Sequence, residues 1–326
     1  MTKVSVVIPS NHSHYELLKI VSAICGQSVK PTEVVIVDSA GSGGLCPLEI
    51  KAICRESGIE LIYKYLQSAL PGHARNVGLT LARTEFIAFA DVQTIPRPHW
   101  LEESLTLLDS RRVIGVWGAT YFKAETKFES LVRDGFYGVL PRKTLPGSVF
   151  SRDVFKSAGQ FIDWVRAGED TEWMLRVELL KLPIVRFGSV TIDYIGLVGL
   201  DTKQFLNKWR RNYTASRNLP HFFPQRLFLW LFLYPLVMLV AFNWNYLVAD
   251  WHKDSPFYIG HITKMVAILP SLAYIFVRGA LLPWQRGVRL RKLLPARFMA
   301  IALICLLADC VKMLVFSIPR PINNER

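Results

Sequence analysis

The chain has 326 residues, 51% hydrophobic and 20% charged, with a formal net charge of +13. Its length fits one large domain with an appendage, or two domains, and its composition is that of a globular protein rather than a disordered one. The positive balance points to an anionic partner: nucleic acid, anionic lipid or a phosphorylated substrate.

Charged and apolar residues are mixed over the first two thirds, and long apolar runs crowd the part after Leu227. Many basic residues flank those runs, which favours a membrane. They do not line a groove or a recognition helix, so a nucleic-acid module is excluded. The five cysteines (Cys25, Cys46, Cys54, Cys305, Cys310) are odd in number and lack CxxC spacing. Reduced structural thiols in a cytosolic compartment follow. MTKVSVVIP runs directly into a strand with no signal peptide, which puts the first domain on the cytoplasmic side.

In chain order, residues 4–9 form an unbroken apolar strand closed by Pro9-Ser10-Asn11. Leu17, Leu18, Val21 and Ile24 share one face of a helix over residues 15–25. EVVIV, residues 33–37, is a second strand ending on Asp38. A helix at 47–57, a strand at 59–65, a helix at 73–82 and a strand at 86–90 continue the alternation. This is the grammar of a mostly parallel α/β sheet covered on both faces. Each strand empties into a polar loop on the same edge, where open α/β sheets hold ligands. The last strand stops on Asp91, followed by Gln93, Thr94, Pro96 and Pro98. By itself, Asp91 is equally readable as a ligand-binding acid or as a turn former.

Further on, the pattern predicts a helix at 100–108, a strand at 113–118, a helix at 153–158 and a strand over 184–194. Residues 120–143 have no clear pattern. Glu169-Asp170 opens a helix at 171–180. QFLNKWRRNY, residues 204–213, alternates basic and aromatic residues at helical spacing and suits an interfacial helix. Three apolar runs follow, at 227–248, 257–283 and 298–318. The first is uncharged and long enough for the ~30 Å hydrocarbon core. The other two are also readable as buried soluble helices. The third contains Asp309 and Lys312, one turn apart, which either pair with each other or face the protein interior.

Lys208, Arg210, Arg211, Arg217 and Arg226 precede the first run, and Arg286, Arg289, Arg291, Lys292 and Arg297 separate the second from the third. By the positive-inside rule both segments face the cytoplasm. The division expected is therefore 1–202, an α/β domain; 203–226, an interfacial segment; and 227–326, a membrane region of about three helices.

Five stretches in order, VSVVIPS, GQSVKPTEVVIVDS, PGHARNVGLTLA, FIAFADVQTIPRPHWL and GEDTEWMLR, resemble the family-2 glycosyltransferases of GT-A fold. The resemblance spans roughly residues 3–213. The basic, aromatic segment before the apolar runs further resembles members that act on polyprenyl-linked acceptors, including exopolysaccharide assembly enzymes. It implies a nucleotide-sugar donor held by Pro9, Asn11, Asp38, Arg75, Asp91 and Gln93, with Arg75 on the phosphate or base. Asp91 matches the first acid of the family's Asp-x-Asp signature, and Gln93 stands where the second acid is usual. A Gln carbonyl is a hard oxygen donor for Mg²⁺ or Mn²⁺ but brings no charge, so weaker metal binding is implied. Asp193 is a candidate to compensate.

Asp170 in GEDTEW matches the family's catalytic acid, the base for an inverting transfer, with Glu169 as its orienting neighbour. Capping the following helix is the competing role. His12, His14 and His73 read as solvated loop residues. Gln204 and Trp209 stand one residue too far apart for the family's Gln-x-x-Arg-Trp element, which favours addition of one sugar over polymer extrusion. Lys208, Arg210 and Arg211 either hold an acceptor-lipid phosphate or are ordinary interfacial charges. The expected function is an inverting transfer to a lipid-linked saccharide in glycan assembly. The alternatives are a polyprenyl-phosphate glycosyltransferase and, in another class, a catalytically idle nucleotide-binding membrane subunit.

Overall fold

The computed structural model describes residues 3–11, 14–40, 44–217, 219 and 227–317. His12 and Arg226 lie outside the described residues. The chain divides into two compact units. The first comprises Met1–Arg133, Val139–Asp201 and Ala215–Leu219. The second comprises Asp134–Gly138, Thr202–Thr214 and Pro220–Arg326, and so takes a short piece from inside residues 1–202.

The first unit opens with β1 (Val4–Ser10), α1 (His14–Cys25), β2 (Glu33–Asp38), α2 (Leu48–Glu56), β3 (Glu60–Tyr65), α3 (Pro71–Leu81) and β4 (Phe86–Phe89). It continues with β5 (Thr94–Pro96), α4 (Trp100–Arg111), β6 (Gly115–Phe122), α5 (Lys127–Phe136), β7 (Arg142–Ser151), α6 (Arg152–Ala158), α7 (Glu169–Leu179), β8 (Ile184–Arg186) and β9 (Ile192–Tyr194). One sheet runs β3-β2-β1-β4-β7-β6-β9-β5, with β8 beside β6. Strands β1 to β4 pair in parallel, whereas β7 runs antiparallel to β4 and β6.

Strands β1 and β2 are largely apolar and buried almost throughout because both faces are covered. Val4, Val6 and Ile8 pack on one side with Leu17, Ile20 and Ile24 of α1. Val7, Val35, Ile87 and Phe89 pack on the other with the cluster that holds Trp173 and Val177 of α7. The period-2 alternation of a strand thus builds two cores from one sequence. At the edge, β3 has only exposed and half-buried positions.

Three departures from the sequence pattern have physical causes. The stretch expected as one strand over 184–194 is split into β8 and β9, interrupted by Gly188 and Ser189. Loop residues Thr94–Pro96 form β5, because β9 offers an antiparallel partner. Helix α5 arises in the unassigned stretch 120–143. Thr126 and Glu129 form a capping box there: Glu129 N donates to Thr126 Oγ1 at 3.2 Å, and the Glu129 carboxylate accepts from Thr126 N at 3.1 Å.

Helix α7 is seated by Trp173, which is fully buried. Its ring meets Phe150, Phe155, Phe161 and Trp117 at centroid distances of 4.8–6.4 Å. Its Nε1 donates to the Gly159 carbonyl at 2.9 Å. Aromatic contacts of this kind stabilise beyond their burial.

The second unit contains α8 (Thr202–Ser216, shared at its end with the first), α9 (Leu227–Ala249), α10 (Ile262–Ile275), a π-helical turn (Phe276–Leu281), α11 (Leu282–Gln285), α12 (Leu290–Leu293) and α13 (Arg297–Ser317). Among the described residues, two stretches are long and apolar enough to cross a membrane, Ile262–Gln285 and Arg297–Ser317. Little of the first is buried, and Leu236, Leu239, Phe242 and Leu247 of α9 are exposed. Gly279 admits α13 closely: a Cβ there would lie 2.2 Å from the Phe298 carbonyl oxygen. Phe136, Phe205 and Trp209 form an aromatic group with centroids 4.5–5.9 Å apart. Asp309 pairs with Arg278 of the π-helical turn at 3.0 Å, not with Lys312. All five cysteines are free thiols.

Candidate active site

The parallel strands β2, β1 and β4 end side by side, and each supplies a polar residue at its carboxyl end. Asp38 closes β2, fully buried. It accepts from the Tyr63 hydroxyl at 2.8 Å and from Ala40 N at 3.1 Å. Ser10 closes β1 opposite Asp38, and its carbonyl accepts from Ser39 N at 2.8 Å. Its buried hydroxyl has no partner among the described residues. Asn11 beyond it is exposed and Pro9 half-buried. Asp91 follows β4, on the far side of β1 from Asp38, two strand spacings or roughly 10 Å away.

The backbone fixes Asp91 before its side chain does anything. Thr94 Oγ1 accepts from Asp91 N at 3.2 Å and donates to Asp91 O at 2.6 Å, while Thr94 N donates to the same carbonyl at 2.9 Å. Gln93 is drawn the other way. Its side-chain carbonyl accepts from the Tyr194 hydroxyl at 3.1 Å and its backbone carbonyl from Ile195 N at 2.9 Å. Asp193 sits between two cations, Arg97 at 3.3 Å and Lys123 at 3.4 Å.

Arg75 links these strand ends to α7. Its side chain is only 4% exposed, yet one terminal nitrogen donates to Asp91 Oδ1 at 2.9 Å and the other to Glu169 Oε1. Both terminal nitrogens thus serve carboxylates, and in this geometry the residue is a brace between two acids. Its Nε has no partner among the described residues. The ring of Phe161 lies 5.8 Å from the guanidinium carbon. Asn76, next on α3, clamps Phe161 by two bonds, Nδ2 to its carbonyl and its amide to Oδ1, both 2.9 Å. Gly72 completes the approach, since a Cβ there would fall 1.9 Å from the Ile162 carbonyl oxygen.

Glu169 and Asp170 stand in the first turn of α7, after Gly168, whose φ of +91° turns the chain into the helix. The Glu169 side chain is 5% exposed, and its Oε2 is buried without a partner among the described residues. Asp170 is half-buried. Its Oδ1 accepts from Thr171 N at 2.7 Å and from Thr171 Oγ1 at 3.2 Å, which leaves Oδ2 uncommitted.

Electrostatics follow from counting. Three carboxylates (Asp91, Glu169, Asp170) surround one guanidinium, so the group carries surplus negative charge. Burial pushes the Glu169 carboxyl up to about 7; Arg75 opposes the shift and Asp170 adds to it. Burial acts against the Arg75 charge, but Asp91, Glu169 and Asp170 outweigh it and hold the guanidinium firmly protonated.

The structure therefore brings Asp91, Arg75, Glu169 and Asp170 together, with Asp38 and Ser10 further along the same strand edge. Lys208, Arg210 and Arg211 belong to α8 in the second unit, with Lys208 half-buried and the two arginines exposed. His14 and His73 are exposed.

The Glycosyl transferase family 2 model matches residues 5–162. That segment, just under half of the chain, resembles the family-2 glycosyltransferases. Pre-mycofactocin glycosyltransferase of Mycobacterium tuberculosis, in strains CDC 1551 / Oshkosh and ATCC 25618 / H37Rv, is 28% identical over 227 residues. The match covers 63% of this chain and 44% of those relatives, so the chain spans less than half of their length. A solved mannosyltransferase from Pyrobaculum calidifontis, in complex with GDP-Man and Mn²⁺, superposes with a TM-score of 0.51 at 17% identity, covering 96% of this chain and 87% of that one. This likeness shows a shared fold, the GT-A arrangement.

Family-2 glycosyltransferases imply a divalent cation at the Asp-x-Asp position. Among the described residues no group of three or more His, Cys, Asp or Glu is placed to hold a metal. Asp91 nonetheless fits a cation held by one carboxylate. Its side chain is 31% exposed, and Oδ2 has no partner among the described residues. Mg²⁺ commonly takes one or two carboxylates and completes its shell with phosphate oxygens and water. Gln93 is engaged with Tyr194 and crowded by Gly196, where a Cβ would fall 2.4 Å from its Oε1.

Sequence reasoning missed Ser10, Thr94, Asn76 and Tyr63 as parts of this edge. Thr94 carries a readable signal, because Asp-x-x-Thr at a strand end is a turn in which the hydroxyl closes on the backbone. Ser10, Asn76 and Tyr63 have no comparable local signature.

Proposed function

We propose that the chain transfers a sugar from a nucleotide-sugar donor to a hydroxyl of a lipid-linked saccharide, with inversion, at the cytoplasmic face of the inner membrane. The observation that carries this reading is the Arg75 brace, which joins Asp91 at the end of β4 to Glu169-Asp170 on α7. Such a pairing sets a donor-diphosphate position beside a general base. The mannosyltransferase neighbour, solved with GDP-Man and Mn²⁺, supports a nucleotide-sugar donor and a divalent cation.

On this reading Asp38 and the Pro9–Asn11 edge take the nucleoside, with the Ser10 hydroxyl as a further partner. Asp91 is the residue that would hold a divalent cation, which when bound neutralises the departing diphosphate. Asp170 accepts the proton of the acceptor hydroxyl through its uncommitted Oδ2. The acceptor oxygen bonds to the anomeric carbon as that carbon's bond to the diphosphate oxygen breaks, and the electron pair leaves with the nucleoside diphosphate. Glu169, held by Arg75, stands beside Asp170 as a positioning residue. Arg75 acts through Asp91 and Glu169, as a positioning residue.

The apolar, exposed helices support a membrane location. The positive charge before α9 and between α11 and α13 supports a cytoplasmic first unit. The test is transfer by the purified full chain in detergent, with labelled donor sugars and membrane lipid extract as acceptor. Asp170→Asn should lower transfer by about 10²–10⁴-fold while donor binding by calorimetry is unchanged. An active Asp170→Asn variant would remove Asp170 as the base. A wild-type chain that binds donor yet transfers to no acceptor would favour the idle-subunit alternative.

A further inference from the structure

At the strand end that carries Asp91, the neutral residue two places on has a task of its own. Strand β5 pairs with β9 antiparallel, with Thr94 opposite Tyr194. The ladder runs one step past both strands, where Ile195 N donates to the Gln93 carbonyl at 2.9 Å. The side chain repeats the link, since Gln93 Oε1 accepts from the Tyr194 hydroxyl at 3.1 Å. Both groups converge on Gly196. A Cβ there would fall 2.4 Å from Gln93 Oε1 and 2.4 Å from the Tyr194 hydroxyl oxygen, so only glycine lets the three meet.

The loop that starts here, residues 195–200, is held along its length. Val198 N donates to the Ile195 carbonyl at 2.9 Å, and Leu200 N to the Leu197 carbonyl at 3.2 Å. Leu197 is fully buried. At the far end Gly199 N donates to the buried Glu129 carboxylate at 2.8 Å. Gln93 and Glu129 therefore grip the loop from its two ends, one from the strand edge and one from α5.

This arrangement suits Gln93 poorly to a cation. Its carbonyl oxygen is crowded by Gly196 and faces a hydroxyl proton, and a dication on that oxygen would sit against the proton. Charge gives a second reason for an amide at this position. Asp91, Glu169 and Asp170 already outnumber Arg75, and a fourth carboxylate would raise the cost of keeping them ionised.

The geometry points to Gln93 as a positioning residue that latches the 195–200 loop to the Asp91 turn, which leaves Asp91 as the one side chain of the Asp-x-Gln pair to hold a divalent cation. Gln93 in the signature's second place is thus a replacement with a new task, not a weaker copy of the acid. The cation half of this assignment rests on the donor-binding reading above; the loop half does not.

The test uses the detergent-solubilised full chain with Gln93→Leu, Tyr194→Phe and the two combined. Hydrogen exchange of the backbone amides of residues 195–200, read by mass spectrometry without nucleotide or cation, should quicken at least about twofold in either single variant, the scale of one lost hydrogen bond. The double variant should add little, because both changes remove the same bond. Gln93→Glu keeps an acceptor for the Tyr194 hydroxyl and should restore wild-type exchange. Mn²⁺ titrated in the presence of UDP and, separately, GDP is followed by electron paramagnetic resonance. It should bind Gln93→Leu within about threefold of wild type and Asp91→Asn at least about tenfold more weakly. Unchanged exchange in both single variants, or additive effects in the double, would overturn the latch. Mn²⁺ weakened about tenfold or more by Gln93→Leu, yet untouched by Tyr194→Phe, would make Gln93 a ligand and overturn the assignment. A wild-type chain that binds no Mn²⁺ with either nucleotide would count against the donor reading alone, and the exchange data would still decide the latch.

Discussion

The two units bury charge in opposite senses. In the first, one guanidinium, Arg75, stands among three carboxylates. In the second, one carboxylate, Asp309, stands among cations. The lesson is that the first group carries surplus negative charge by itself, which a divalent cation at Asp91, as proposed above, would offset, whereas Asp309 already has Arg278 as its partner. Self-sufficient structural ion pairs would be balanced already, as Glu172 and Arg176 are on α7.

Breaking the first group at its centre should have the largest effect. Arg75→Met strands Glu169 in a buried position, and loss of one partner of such a pair costs about 3–5 kcal/mol. Thermal unfolding of the detergent-solubilised chain should show a clear drop, larger than for the exposed variant Arg97→Met. An unchanged midpoint would mean that the brace is not structural.

A smaller effect sharpens the sign of the imbalance. The folded chain raises the Glu169 carboxyl from its ordinary value to about 7, so the fold favours the protonated form. Its contribution to stability is therefore complete below about 4.5 and is lost as pH rises towards 7. Glu169→Gln, which mimics the protonated acid, should remove that slope in a plot of unfolding midpoint against pH from 4.5 to 7. A slope that persists would place the proton on another group.

The smallest effect concerns placement. Thr94→Val removes the hydroxyl that closes the turn at Asp91, a loss of about 1–2 kcal/mol for a buried hydrogen-bonding group. The donor KM should rise several-fold with kcat little changed, and Thr94→Ser should restore it. If kcat alone falls, Asp91 is acting on the chemical step, not on donor binding.

Much of the first unit was legible because its strands are buried on both faces. VSVVIP, EVVIV and FIAFA are continuous apolar runs, and each ends on the residue that reaches the cleft. What could not be read were pairings between distant segments. Arg75 and Glu169 are 94 residues apart, and nothing local in either announces the other. Asp309 teaches the same point from the other side. Its neighbour at helical spacing is Lys312, but its partner is Arg278, because interhelical register is set by Gly279 and the π-helical turn, not by spacing along one helix. Helix α5 was legible in principle from Thr126 and Glu129, yet its short amphipathic pattern is obscured by the aromatic residues around it.

Asn76 has a consequence for engineering. Its two bonds pin the entry to the segment that precedes α7, and Gly168 with the seated Trp173 pins the exit. The residues between, including exposed Asp163, Trp164 and Arg166, are thus displayed like an interchangeable cassette on fixed mounts. Libraries confined to those three positions would vary the displayed surface while Glu169 and Asp170, held on α7, stay where they are.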